Sequence, residues 1–298
     1  MRIVSMLASA TGIVCALGAG DMLVGRSHEC DHPDWVRRLP ACSEPAFDVS
    51  GSSGAIDKEV RRRIASGEDL YRVYGDLIRE LRPDLVIAQA HCEVCAVTPG
   101  DVERTGACLP TLVLSASSVE GIFESIGAVG AKLGLAGRAR VVIARERERL
   151  QTVRARTAHL SPPTVVMLEW CDPLFAMGNW GPELVEIAHG DLLIGKKGDY
   201  SAAMPAEQLL AADPEFLIVA PCGFGLARAL QEQTVLGKIP GWRQLRAVRT
   251  GKVAFADGNL FFNRSGMTLT QTAEIIAEIL HNVTFGAAAH WRWMGDAK

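Results

Sequence analysis

Apolar and polar positions along the chain fall into blocks that switch between the two-residue period of strands and the 3.6-residue period of helices. Residues 2–6 predict a strand, and a helical stretch runs on to Leu17 with Ser9 or Thr11 as its candidate cap. A second strand is expected around Met22-Leu23-Val24-Gly25. Residues 27–53 are rich in Pro, Cys and Ser and predict a loop, with Gly51-Ser52-Ser53-Gly54 as its most linker-like piece. Strands follow at 85–88 and 111–114. Helical spacing then covers 119–160, broken at Leu133-Gly134-Leu135-Ala136-Gly137, which predicts one short helix and one long one. At ~1.5 Å per residue the stretch 138–157 spans about 30 Å, enough to cross between two lobes. Beyond it lie a strand at 164–170, a helix starting near Pro182, a strand at 252–255 and a last helix over 268–280. The tail from Asn282 carries Phe285, Trp291 and Trp293, and its pattern is compatible with packing or with fraying.

One unit is written twice. The first copy, residues 76–88, runs from a helix tail through Arg82-Pro83-Asp84 into Leu85-Val86-Ile87-Ala88, and leads to His91-Cys92-Glu93-Val94-Cys95. The second, residues 207–219, runs through Asp213-Pro214-Glu215 into Phe216-Leu217-Ile218-Val219, and leads to Pro221-Cys222-Gly223-Phe224. A duplicated helix–strand unit implies two similar α/β lobes, and open α/β sheets bind ligands beyond the carboxyl ends of their strands, where these cysteines fall. The expected fold is α/β, with two Rossmann-like lobes and a ligand cleft between them. Its expected parts are an N-terminal lobe at 1–118, connecting helices including the long backbone helix at 119–160, a C-terminal lobe at 161–281 and a tail at 282–298.

Composition narrows the function. With 298 residues at 48% hydrophobic there is enough apolar material for two cores. A net charge of -3 supplies no electrostatic reason to bind nucleic acid. The basic run over 138–156 is interleaved with Glu146 and Glu148 and reads as a solvated helix face. No run of about 20 uninterrupted apolar residues occurs, so stable membrane insertion is not expected. Near the N-terminus only Arg2 is basic and the apolar stretch is broken by Ser5, Ser9, Thr11 and Gly12. It reads as part of the fold instead of a signal peptide, so the expected location is the cytoplasm, with the periplasm as the alternative. Eight cysteines would then be reduced, and clustering among them would point to metal or redox chemistry.

The stretches Ile3-Val4-Ser5-Met6-Leu7-Ala8-Ser9-Ala10-Thr11 and Leu81-Arg82-Pro83-Asp84-Leu85-Val86-Ile87 resemble the first strand and the most recognisable strand of the helical-backbone class of periplasmic binding proteins for metal chelates. These are substrate-binding proteins of ABC transporters, and the resemblance extends over about residues 2–280. It is closest to the vitamin B12-binding and iron-siderophore-binding members, especially a leaderless, cobalamin-binding-like subgroup. The motifs Ser27-His28-Glu29-Cys30-Asp31, Cys92-Glu93-Val94-Cys95-Ala96-Val97, Leu168-Glu169-Trp170, Asn179-Trp180, Ala220-Pro221-Cys222-Gly223-Phe224 and Asp257-Gly258-Asn259 carry that assignment. The resemblance implies a binding protein, not an enzyme, that holds cobalamin or a related corrinoid or metal chelate in its cleft. It also implies that Asp76 and Glu207, the acids in the helices before the two Pro-acid turns, dock onto an ABC permease; the alternative is two ordinary surface carboxylates.

If the fold holds, its strand ends gather Cys30, Cys92, Cys95 and Cys222 with His28, Glu29, His91, Trp170, Trp180, Phe224, Asn259 and Arg264. Thiolates are soft ligands, and a Cys-x-x-Cys loop can place two sulfurs on one metal, so a second reading is a cysteine-ligated zinc or iron-sulfur protein, with or without enzymatic activity. Against it stands the ordinary role of cysteine as a small buried hydrophobe. Trp170, Trp180, Phe175, Phe224, Phe261 and Phe262 fit a wall for a large flat ligand, with the four phenylalanines equally suited to the core. Glu29, Asn259 and Arg264 are candidates to orient the ligand's polar edges, and His28 or His91 could supply a neutral imidazole. No Walker loop, dinucleotide fingerprint or nucleophile elbow is present, so an enzyme here would be a metal-dependent one.

Overall fold

In the computed structural model, whose described residues are 1–90, 96–106 and 109–296, the repeated sequence unit is also a repeated structural unit. Helices Gly75–Leu81 and Ala206–Ala212 each stop at a residue in the left-handed conformation, Arg82 (φ 44°) and Asp213 (φ 38°). A proline follows each and cannot supply the N–H that another helical turn needs. The next residue, an acid in both copies, ties down the neighbouring strand. Asp84 Oδ2 accepts the Arg2 N–H at 2.7 Å, and Glu215 Oε2 accepts the Thr164 N–H at 3.0 Å. Each lobe thus uses the same turn to hold the start of its first strand.

In the first lobe, β1 (Ile3–Ser5), β2 (Leu23–Arg26), β5 (Leu85–Gln89) and β6 (Thr111–Leu114) form a fully parallel sheet in the order β2-β1-β5-β6. All five residues of β5 are buried, as expected for a strand covered on both faces. Two short strands, β3 (Ser43–Pro45) and β4 (Tyr71–Val73), pair separately as an antiparallel ribbon. The 27–53 segment is therefore not all loop.

The second lobe contains β7 (Thr164–Cys171), β8 (Leu174–Ala176), β9 (Asp191–Leu192), β10 (Ala202–Ala203), β11 (Phe216–Val219), β12 (Val253–Ala256) and β13 (Trp291–Trp293). Their order is β10-β8-β7-β11-β12-β13, with β9 beside the start of β7. The central β7, β11 and β12 are parallel, and β13 closes one edge antiparallel to β12. The tail therefore packs. Glu278 in the last helix, Leu269–His281, accepts the backbone N–H groups of Phe285, Gly286 and Ala287 at 2.6–3.0 Å and the Trp291 indole N–H at 3.1 Å.

A 22-residue helix, Ala136–Thr157, joins the two lobes. It packs closely on helix Val119–Lys132, where a Cβ at Gly130 would lie 2.5 Å from the Ala139 Cβ. Arg138 donates to the Leu17 carbonyl in the first lobe at 3.1 Å, and Arg149 pairs with Glu274 of the last helix at 3.0 Å. The expected solvated face is corrected at Glu146, which is 3% exposed. Its carboxylate receives Thr270 Oγ1 at 2.8 Å and faces Arg145 and Arg149 at 3.1 and 3.2 Å. A buried carboxylate with a hydroxyl and two guanidiniums around it is an anchor, not a solubilising charge. One apolar cluster runs from Ile3 and Leu85 through Val142 and Val153 to Phe216 and Ile276, so the two lobes share a core.

Candidate functional site: the inter-lobe cleft

The carboxyl end of β11 turns through Gly223 (φ 75°), a left-handed position suited to glycine, and sends Phe224 back under the end of β7. The Phe224 carbonyl accepts the N–H groups of Gly258 and Asn259 at 2.9 and 3.1 Å, tying this turn to the one after β12. Gly258 is required there, because a Cβ would lie 2.2 Å from the Pro221 carbonyl oxygen. Half-buried Trp170, near the end of β7, packs edge-on against Phe224 with ring centroids 5.3 Å apart. The Arg228 guanidinium lies 3.7 Å from the centre of the Phe224 ring. These three side chains form an aromatic and cationic platform at the strand ends of the second lobe. Phe224 itself is 2% exposed and supports the platform from beneath.

In the first lobe, the segment after β2 holds half-buried His28. Its Nδ1 is 2.9 Å from Ser43 Oγ and its ring packs on Tyr71 at 5.3 Å. Burial, helped by the charge of Arg26 and opposed by Glu44, lowers the His28 pKa to about 4, so the ring is neutral at physiological pH. In the tautomer whose Nδ1–H donates to Ser43 Oγ, Nε2 keeps its lone pair.

The predicted polar contacts lie elsewhere than on the platform. Arg264, 8% exposed, donates to Asp31 Oδ1 at 2.6 Å, to the Asn259 carbonyl at 2.6 Å and to Asn259 Oδ1 at 3.0 Å, with the Glu29 carbonyl 3.5 Å away. Asn259 Nδ2 donates to Asp31 Oδ2 at 2.9 Å. Arg264 and Asn259 thus come together as expected, but their partner is Asp31 of the first lobe, and the three form a bridge between the lobes. Asp31 lies inside the quoted Ser27–Asp31 motif yet was not a predicted site residue. Its place in that motif was the signal the sequence offered; its partner 233 residues away was not legible.

The other predicted residues separate. Cys30 is fully buried, with its sulfur 3.1 Å from Thr11 Oγ1, 3.2 Å from Ser27 Oγ and 3.6 Å from the Ser5 carbonyl. Burial pushes its pKa up, only partly offset by the hydroxyls of Ser27 and Thr11, so it is a neutral packed thiol and does not fit a metal ligand. Trp180 is 7% exposed and joins the shared core, as do Phe261 and Phe262. Cys222 is half-buried at the end of β11. His91, Cys92 and Cys95 lie outside the described residues. Among the described residues no three His, Cys, Asp or Glu side chains are grouped to hold a metal ion. At the outer surface, Asp76 sits in the first turn of its helix and pairs with Arg79, whereas Glu207, in the matching turn of the second lobe, is exposed without an ion pair among the described residues. No helix is long and apolar enough to cross a membrane among the described residues.

The periplasmic binding protein family model matches residues 3–260. Among solved structures, a periplasmic heme binding protein from Pseudomonas aeruginosa is 21% identical, with 95% of this chain and 93% of that one covered and a TM-score of 0.72. The periplasmic vitamin B12 binding protein BtuF of Vibrio cholerae is 18% identical over 94% and 96% of the two chains, with a TM-score of 0.67. IsdE of S. aureus, solved in complex with heme, is 15% identical over 94% and 98%, with a TM-score of 0.73. At these identities the likeness establishes the two-lobe fold. No curated protein matches the sequence.

Proposed function

The chain belongs to the periplasmic binding protein family, and from that premise we propose that it binds a large flat metal chelate of the corrinoid or haem kind, cobalamin included, between its two lobes. The observation that carries this reading is the Trp170–Phe224–Arg228 platform at the strand ends. Half-buried Trp170 supplies a broad rigid ring with little entropy loss for a planar macrocycle to pack on, and Phe224 holds that ring from beneath. His28 supports the same reading, since a neutral imidazole with one nitrogen engaged can offer the other to a metal centre. Neighbouring folds are described as binding heme or vitamin B12, which makes both chelates the first probes to use.

The test is titration of the purified protein with haemin and with hydroxocobalamin, followed by absorbance. Binding of one chelate with a spectral shift is expected, weakened about tenfold or more in Trp170→Ala. No shift with either at tens of micromolar would overturn the proposal. The competing zinc or iron-sulfur reading is weakened by the neutral buried state of Cys30, and metal and sulfide analysis after anaerobic purification separates the two.

Residence in the cytoplasm is part of the proposal. Residues 3–5 form strand β1, next to β5, and helix Ala8–Ala16 buries Ile13 and Val14 in the core, so this stretch is part of the first lobe. The competing arrangement is an exported protein that hands its chelate to an ABC permease through Glu207 and Asp76. Mass measurement of the protein from cell fractions distinguishes them.

A further inference from the structure

Residues 46–70 leave the first lobe as an arm. Its base is the β3/β4 ribbon, closed by the Ala46 N–H to Leu70 carbonyl bond at 2.9 Å, and its tip is helix Ser53–Ser66. The tip docks on the other lobe. Ser53, fully buried, donates its hydroxyl to Glu232 Oε2 at 2.5 Å and its N–H to Oε1 at 3.3 Å. Arg228 donates to the carbonyls of Val49 and Gly51 at 2.5 and 2.9 Å. A Cβ at Gly54 would lie 2.3 Å from Asp172 Oδ2, so glycine permits the close approach. Phe47, Ile56 and Val60 pack with Leu168, Val219 and Phe224, the apolar cluster of the second lobe.

Several charges of the arm helix pair within the arm. Arg62 pairs with Glu59 and Glu68, Arg63 pairs with Glu59 and lies over the Phe47 ring, and Arg63 Nη1 donates to the Asp69 carbonyl. These contacts survive separation from the second lobe, whereas the docking contacts are few and all lie on that lobe. The same Arg228 that completes the chelate platform is the residue holding Val49 and Gly51, so the docked arm sits on the proposed binding surface.

We propose that this arm is the gate of the cleft: it swings off the second lobe as one unit on its ribbon, while both lobes stay folded, and so admits the ligand to the platform. This rests on the chelate-binding reading for the identity of the ligand, but not for the motion. The experiment has two arms. In the free protein, amide hydrogen exchange read by mass spectrometry should show residues 46–66 exchanging faster than β7 and β11. Ser53→Ala and Glu232→Ala should each speed that exchange about tenfold or more without changing β7 and β11, and Glu232→Gln, which keeps an acceptor, should fall between. In the second arm, stopped-flow mixing with haemin or hydroxocobalamin should show association faster by a similar factor in Ser53→Ala. Arm peptides that exchange only as slowly as β7 and β11 in every variant would overturn the gate, as would faster exchange with unchanged association. If neither chelate binds any variant, the binding reading fails and the exchange result alone decides whether the arm opens.

Discussion

Replacing Asp31 with Asn tests whether the bridge between the lobes contributes to stability. The Arg264 side chain is 9% exposed and that of Asp31 19%, so the pair is largely withdrawn from water. Breaking a buried pair by removing one partner costs about 3–5 kcal/mol. Arg264 keeps the Asn259 carbonyl and Oδ1 as acceptors, and Asp31 is partly wetted, which brings the expectation down to about 2–3 kcal/mol. In a chain of this size that lowers Tm by about 4–6 °C at pH 7. The pH dependence carries a sign. Burial alone would raise the Asp31 pKa, but the charge and hydrogen bond of Arg264, with Asn259 and Arg37, outweigh it and hold the carboxyl below its ordinary value. Its contribution is therefore complete above the unfolded-state pKa of about 4 and is lost as pH falls through the lower folded value. Thermal and urea unfolding of wild type and Asp31→Asn should show the full gap at pH 7 and a shrinking one towards about pH 3. A Tm difference under about 1 °C at pH 7, or a gap unchanged at pH 3, would refute the reasoning.

Three further outcomes are expected. Glu278→Ala removes the acceptor of three backbone N–H groups and one indole, so stability should fall by about 2–4 kcal/mol, and amides over 285–293 should lose exchange protection. His28, with its pKa lowered to about 4, favours folding fully above about pH 6.5 and loses that contribution as pH falls towards 4. A stability–pH curve for His28→Phe should therefore be flatter over that interval by up to about 3 kcal/mol, and an unchanged curve would count against a neutral buried imidazole. Asp84→Ala and Glu215→Ala each remove one strand clamp, about 1–2 kcal/mol apiece, and because the clamps lie in different sheets their effects should add in the double variant.

The duplicated turn was readable because its causes are local. A proline beyond the first turn stops a helix, and the next residue is within reach of the strand start in both lobes. The long connecting helix was readable for the same reason, since helical spacing and a glycine-bearing break before it lie in one stretch of chain. The tail could not be settled that way, because its order depends on Glu278 and on the free edge of β12.

The site divides along the same line. Trp170 and Phe224 were expected together at strand ends, where the α/β architecture dictates what side chains meet, and their rings do pack there. Cys30 looked like a ligand because its sequence neighbours are Glu29 and Asp31, but Thr11 and Ser27 surround its sulfur. Glu146 looked solvated until Thr270 is seen against it, and the linker-like Gly51–Gly54 stretch proves to be the docking tip of an arm. By itself the sequence determined the main strands and helices, their order and the two-lobe plan, because periodicity, proline and glycine act over a few residues. Only the tertiary structure decided which polar groups are spent holding the lobes together. Asp31 meets Arg264 across 233 residues and Ser53 meets Glu232 across 179, and the worth of such a pair depends on burial that the fold alone creates.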